Sequence, residues 1–513
     1  MPATLARTLH PRERFRTSSY RIKLAMLCIR TSYRIAWDVF NEMTLRKEKG
    51  QVIPINTFID DFYQDGQAVK RAKQNLAITI LKENGFNPET LKYNGEWPEK
   101  WQVSQDIHIT ITGTKHPLSM LIDDSGKFEV PVPDPVDYSE DENDEDAERE
   151  NLKKIFSEPD TDEFVPARKR RTTRYEVTEE DIEWVCNGYA DWLNEQVTVD
   201  ACKILRPWVI EKGSARIVYI SIDAVYVVEQ SANHIKGGKP EMKETRTRIS
   251  HWNICVEFDN YRYNITAHTR FESIQQLYAF LLSNDLMDRY FTFFADGETE
   301  IFDDVNKYFD HCSRTLILDW FHIVEKVFQR CSSALYKTRT VDPRSEKETY
   351  KQKSKQGMTK KRKETAISVL YARRICSILW VGNVEEAIAY INNINPEVVR
   401  DADKLGELVE YLNRKKKWIV CYALRKRAGL RNSSNGSEGE NNAVVALRQK
   451  DEDKSWREEG STSASNMTCL FINQEQDMWF EDGEVTFRVP TEVREKAKQA
   501  QKKQINGSRN NVV

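Results

Sequence analysis

No run of 18 uninterrupted apolar residues occurs in the chain, so no membrane span is expected. The opening residues, Met1 to His10, lack the apolar stretch of a secretory signal. The nine cysteines form no Cys-x-x-Cys pair and are odd in number. That argues against a zinc ribbon or a disulfide scaffold and for reduced thiols. Internal repeats are absent as well. Net charge is nearly so: 77 Lys and Arg against 80 Asp and Glu leave −3 over 513 residues. The balance hides a strong segregation. Asp134 to Glu150 is acidic, with Arg149 its one basic residue, and basic runs stand elsewhere. Local patches therefore carry more meaning than the total.

The length calls for two to four folded units. Apolar residues at helical spacing from Tyr20 to Phe40, a helix start near Pro54 and a third helix from Gln67 to Glu83 make residues 1–115 a helical N-terminal domain. It reads equally as a DNA-binding helix-turn-helix or as a plain helical bundle. Residues 116–177 read as a linker, with Pro131, Pro133 and Pro135 in an extended stretch, then the acidic tract, then Arg168, Lys169, Arg170 and Arg171. Those four cations are candidate phosphate contacts or simply a solvated run.

From Thr178, where an acidic helix start appears, the texture turns to α/β. Strands are expected at 216–228, 252–258, 261–266, 290–294 and 314–318, with helices at 273–282 and 298–309 between the later ones. The first three strands suit an antiparallel meander, and the helical crossovers favour parallel neighbours. This core should occupy 178–322. Residues 323–430 return to helix, flanked by the basic runs Lys360, Lys361, Arg362, Lys363 and Arg414, Lys415, Lys416, Lys417, further candidate phosphate contacts. Residues 431–490 begin with a polar stretch, continue into a helix expected from Glu438 to Gln449 and make the last part of the core, and 491–513 form a polar tail.

One charged group, Asp223, interrupts the apolar strand from Arg216 to Val228. A buried carboxylate costs several kcal/mol unless it is paired or bound to metal. Asp296 follows the strand at 290–294, with Gly297 permitting a tight turn. It is either an ordinary Asp-Gly turn or a group at the carboxyl end of a strand, where α/β sheets bind ligands. Two such carboxylates can jointly hold Mg²⁺, whose remaining sites go to water and phosphate. Spacing alone selects no third acid.

The strand order, with one Asp inside the first strand and another after the fourth, resembles the ribonuclease-H-like fold of DDE transposases and integrases. Ala295-Asp296-Gly297-Glu298 and the stretch from Leu316 to Lys326, holding Asp319 and His322, resemble bacterial insertion-sequence transposases of the Mutator-related branch. Those enzymes insert a helical domain before a catalytic Glu. Ser434 to Gly439, Arg448 ten positions after Glu438, and Trp456 with Gly460 resemble their Glu motif. Two departures stand out. Ala224 replaces the usual Gly, and Glu440 to Asn442 replace apolar and small residues. The resemblance spans 214–480.

It implies an α/β core interrupted by an all-α insertion, with Asp223, Asp296 and Glu438 as catalytic residues holding two Mg²⁺ or Mn²⁺ ions. The implied activity is DNA cleavage and strand transfer on element ends and target DNA, by a homodimer or larger assembly, cytoplasmic and nucleoid-associated. Asp319 and His322 are implied auxiliaries, or else a helix cap and a packed His. A related nuclease without strand transfer and a non-catalytic, domesticated DNA-binding descendant are the alternatives.

Overall fold

A computed structural model describes residues 17–102, 129–133, 172–176, 217–230, 248–259, 261–336, 339–341, 349–350, 360–361, 364–427, 429–434, 444–445, 449 and 456–490. The acidic tract, the helix expected from Thr178, and Glu438 lie outside these residues. The N-terminal part holds α1 (Ser18–Arg30), α2 (Tyr33–Met43) and α3 (Ile55–Glu83). Thr17 and Ser32 cap the first two through their side chains. The two helices expected between Pro54 and Glu83 are one helix of 29 residues, about 44 Å long. Phe58, Phe62, Gly66, Val69, Lys73, Ala77 and Leu81 recur every third or fourth residue along its buried side.

The β-branched and aromatic run Ile217–Val228 forms β1. On one side it pairs antiparallel with β2 (Arg248–Phe258), which pairs antiparallel with β3 (Tyr261–Ala267). A two-residue connection joins those two, starting at Asp259 with φ +48°. On its other side β1 pairs parallel with β4 (Tyr290–Ala295), which pairs parallel with β5 (Arg314–Leu318). The sheet order is β3-β2-β1-β4-β5. Helices α4 (Arg270–Ser283) and α5 (Thr299–Tyr308) carry the chain between strands of the same direction. The fold is thus α/β with a mixed five-stranded sheet, and the meander and the crossovers sit where the sequence places them.

After β5 come α6 (Trp320–Ala334), α7 (Ile367–Trp380), α8 (Val384–Asn392), α9 (Ala402–Lys415) and α10 (Tyr422–Arg427). Rings of Trp320, Trp380 and Tyr422 meet with centroids 4.7–5.9 Å apart. The Tyr422 hydroxyl donates to the Leu318 carbonyl at 2.7 Å, fixing this helical unit to the end of β5. Two pieces of the expected linker lie among the described residues: Glu129–Pro133 pairs antiparallel with Thr172–Glu176, and Val130 is buried. Proline tolerates extended backbone, and burial of Val130 gives that stretch a reason to settle.

The last helices among the described residues are α11 (Glu458–Ile472) and α12 (Gln476–Asp482). These pack with α1, α2 and the first half of α3 around Val225, Val227 and Ile249 at the ends of β1 and β2. The second half of α3, through Ala77 and Leu81, belongs to the core that also contains the sheet and the helical unit after β5. Helix α3 therefore spans both cores. Its crossing with α11 is close: a Cβ on Gly66 would lie within van der Waals overlap of Ser463 Cβ, and one on Gly460 would overlap the Tyr63 hydroxyl. Lys73, also on the buried side of α3, pairs with Glu475 at 2.5 Å and donates to the Tyr263 hydroxyl at 2.7 Å. The helices over 18–83 are built into the packing of the C-terminal segment and the sheet.

This crossing sets helix propensity against packing. Gly406 in α9 has nothing within 4 Å of the point where a Cβ would stand, so Gly406→Ala should raise stability by up to about 1 kcal/mol. Gly66→Ala should instead destabilise by about 1–3 kcal/mol, because the methyl overlaps α11. Denaturant midpoints of the two variants check this. A Gly66→Ala variant as stable as Gly406→Ala would disprove the crossing.

Candidate active site

The parallel pairs fix which residues stand level across the sheet. Ser221 pairs with Phe294, an offset of 294 − 221 = 73. Asp223 and Asp296 have the same offset, 296 − 223 = 73. Ala295 pairs with Leu318, an offset of 23, which is also the offset from Asp296 to Asp319. Carrying the two registers past their last pairs puts Asp223, Asp296 and Asp319 in one row at the carboxyl end of the parallel strands. Neighbouring positions in such a row are about 5 Å apart. The Asp319 N–H donates to the Ala295 carbonyl at 3.0 Å, so the β4–β5 register holds to that level.

Asp223 is half-buried, not deep in apolar surroundings as its strand suggests. The reason is local. β2 accompanies β1 as far as Val228, but β4 accompanies it only to Ser221. From Ile222 onward that edge of β1 outruns its parallel partner. Asp296 lies in the bend directly after β4, also half-buried. Its Oδ1 accepts from the Glu298 N–H at 3.0 Å, which closes a small turn. Gly297, at φ +102°, is required there: a Cβ would lie 2.9 Å from Leu318 Cδ1.

The electrostatics agree that these acids share one space. Burial, then Asp296 and Asp223, push the Glu298 carboxyl above its ordinary range. Burial raises the exposed Tyr226 phenol too, helped by Glu298, Asp296 and Asp223. Glu298 belongs to a motif visible in the sequence but has no place in the site expected from it. Its position two residues from Asp296 is the signal that could have found it.

Asp319 has a different occupation. It is 1% exposed and is the N-cap of α6, accepting from the Phe321 N–H at 2.8 Å. Its other oxygen accepts from the Ser434 N–H. His322 Nδ1 stands 3.6 Å from Asp319 Oδ1. Burial alone would raise the Asp319 pKa, but His322 and the Ser434 N–H outweigh it and hold the carboxyl below its ordinary value. Both oxygens are thus engaged in holding α6 and the segment at Ser434 in place.

The segment beyond Glu438 is anchored at the same end of the sheet. Val444 and Val445 pack with Val225 and Val227. Gln449 bonds to Ser461, whose hydroxyl meets His251 Nε2 at 2.6 Å, and His251 is level with Val225 on β2. Burial lowers the His251 pKa to about 3, so the imidazole is neutral. Trp456 and Gly460, noted for their spacing, have structural duties: Trp456 donates its backbone N–H to the Val228 carbonyl at 2.9 Å, and Gly460 makes room for Tyr63.

Of the basic candidates, Arg168, Lys169, Arg170, Arg171, Arg362 and Lys363 lie outside the described residues. Lys360 and Lys361 form a two-residue strand against Thr349–Tyr350. Arg414, Lys416 and Lys417 are exposed at the end of α9, whereas Lys415 is buried.

Magnesium prefers hard oxygen ligands and takes few from protein. Asp223 and Asp296 are oxygen ligands of that kind. Among the described residues, no group of three or more His, Cys, Asp or Glu is gathered to hold a metal ion. No helix among the described residues is long and apolar enough to cross a membrane. No family model, curated protein or solved structure matches the chain.

The Asp319 anchor makes a pH prediction. Its folded pKa is depressed, so its ionised form contributes stability above the unfolded value, about 3.9, and loses it as pH falls through the folded value. Asn is also a good N-cap, so Asp319→Asn removes chiefly the charge. The stability gap between wild type and Asp319→Asn should shrink as pH falls below about 4. Denaturation midpoints at about pH 5 and below check it; a gap that does not shrink there would contradict the assignment.

Proposed function

We propose that the chain is a DDE-type DNA transposase with a ribonuclease-H-like core, using Asp223, Asp296 and Glu438 as its catalytic carboxylates. The observation that carries this reading is the shared level of Asp223 and Asp296 on neighbouring parallel strands, at the strand ends where α/β sheets take their ligands. The sheet order, with an antiparallel meander on one side of β1 and two parallel strands on the other, supports it. So does the helical unit between β5 and the C-terminal segment.

Asp223 and Asp296 would hold divalent ions, Mg²⁺ or Mn²⁺, from one side, while Asp319 is committed to its cap. Bound ions would supply activation of the attacking oxygen and stabilisation of the leaving one. Glu438 would complete the ligand set. Four residues reach at most about 14 Å, and Glu438 follows Ser434, which is tied to Asp319, by that many. Exposed Arg414, Lys416 and Lys417 would meet DNA phosphates without reading sequence. Element ends and target DNA are the proposed substrates, and pairing two ends calls for a dimer or larger assembly.

Asp223→Asn, Asp296→Asn and Glu438→Gln should each lower Mg²⁺-dependent DNA cleavage by more than ~100-fold, beyond the effect of losing an outer partner of a metal site, while DNA affinity largely survives. A duplex-nicking and strand-joining assay checks this. Cleavage retained in Asp296→Asn would sink the assignment, and nicks without joined products would favour a nuclease.

A further inference from the structure

The end of α9 carries four consecutive cations, and three of them face solvent as a charge run ordinarily does. Lys415 is the exception at 8% exposure. It takes the next place after Leu405, Leu408 and Leu412 on the buried side of the helix. An ammonium there is expensive unless it is paired. Its Nζ donates to Thr299 Oγ1 at 2.7 Å and stands 5.2 Å from the centre of the Trp418 ring. Neither partner carries charge, and no carboxylate among the described residues lies within ion-pairing distance of it.

The same side chain crosses the turn that bears Asp296. Its Cε lies 3.6 Å from where a Gly297 Cβ would stand, with the Tyr411 hydroxyl beside it at 3.7 Å from that point. Thr299, which holds the ammonium, begins α5 three residues after Asp296. Among the acids, Asp296 acts on Lys415 most strongly.

We propose that Lys415 is a substrate-binding residue, through which helix α9 of the inserted unit presents an ammonium to the backbone phosphate lying over Asp223 and Asp296. This rests on the reading of the site as a phosphodiester centre. A phosphate there gives the ammonium an anionic partner and a charge-assisted hydrogen bond. Lysine suits the task, being a compact charge that binds phosphate without demanding a planar, two-pronged partner. Thr299 and Trp418 fix its position in advance, so little order has to be gained on binding. The helical unit then belongs to the active centre itself.

The experiment uses the full chain and a DNA duplex, with single-turnover cleavage in Mg²⁺ and affinity measured in Ca²⁺ over a range of salt. Lys415→Met should lower the cleavage rate at saturating DNA by about 10- to 100-fold, the loss of one charge-assisted contact. It should also flatten the slope of log affinity against log salt by about 0.9, the signature of one phosphate. Lys415→Arg should restore the slope and part of the rate. Thr299→Val keeps the charge and removes its tether, so the rate should fall with the slope unchanged. A wild-type rate in Lys415→Met overturns the proposal. So does a reduced rate with an unchanged slope in that variant, which marks Lys415 as a packing residue. If melting shows that Lys415→Met does not fold, Thr299→Val decides, and a wild-type rate there overturns the proposal. Absence of any Mg²⁺-dependent cleavage by the unsubstituted chain overturns the reading of the site itself, and this proposal with it.

Discussion

Everything at the candidate site depends on the register of β4, held between two parallel neighbours. Side chains level across a parallel pair point to the same face, and a slip of one residue would send Asp296 to the opposite one. The slip is resisted by burial. All six residues of β4, Tyr290 to Ala295, are buried, and Phe291, Phe293 and Phe294 are among the largest fully buried side chains. Rings of Phe291 and Phe293 both meet Phe309 at the end of α5. The aromatic strand that looks like mere core therefore sets the position of a carboxylate one residue beyond its end.

The three aspartates of the row have divided roles, and the division follows from what terminates each strand. β1 continues past Asp223 beyond the end of its pairing with β4, and among the described residues the next neighbour on that side is Trp456, level with Glu229. β4 ends in a glycine turn that turns Asp296 toward the same space. β5 runs straight into α6, so Asp319 is drawn into capping and is buried. Each of its oxygens accepts one backbone N–H, from Phe321 and from Ser434. Its value is positional, tying the returning chain at Ser434 to the strand ends, as Val444 and Val445 tie it further on.

Much of this is legible in the sequence, for physical reasons that also explain what is not. A charge inside a β-branched run stands out, which is why Asp223 can be selected, and a glycine turn at a strand end marks Asp296. The period-two runs and intervening amphipathic stretches point to the sheet and its crossovers. Register is different: offsets of 73 and 23 residues depend on loop and helix lengths that no local pattern encodes, so only the resemblance, and no spacing, sets Asp319 near Asp296. Gly66 suggests a break in a helix, but its missing side chain serves the contact with Ser463 of α11, a partner nearly 400 residues away. Lys415 reads as one of four equivalent cations, although its spacing from Leu405, Leu408 and Leu412 already puts it on the apolar side of α9. The helices from Tyr20 to Glu83 read equally as a DNA-binding unit or a plain bundle, and no local pattern encodes that α3 spans both cores.

The central claim is that Asp223 and Asp296 together bind divalent metal. Titration of the full chain with Mn²⁺, followed by electron paramagnetic resonance in the presence of a saturating DNA duplex, tests it without requiring turnover. Wild type should bind Mn²⁺ beyond the amount taken by the duplex alone, and Asp223→Asn and Asp296→Asn, folded and DNA-bound, should each lose that excess. Equal Mn²⁺ binding by wild type and both variants would contradict the claim.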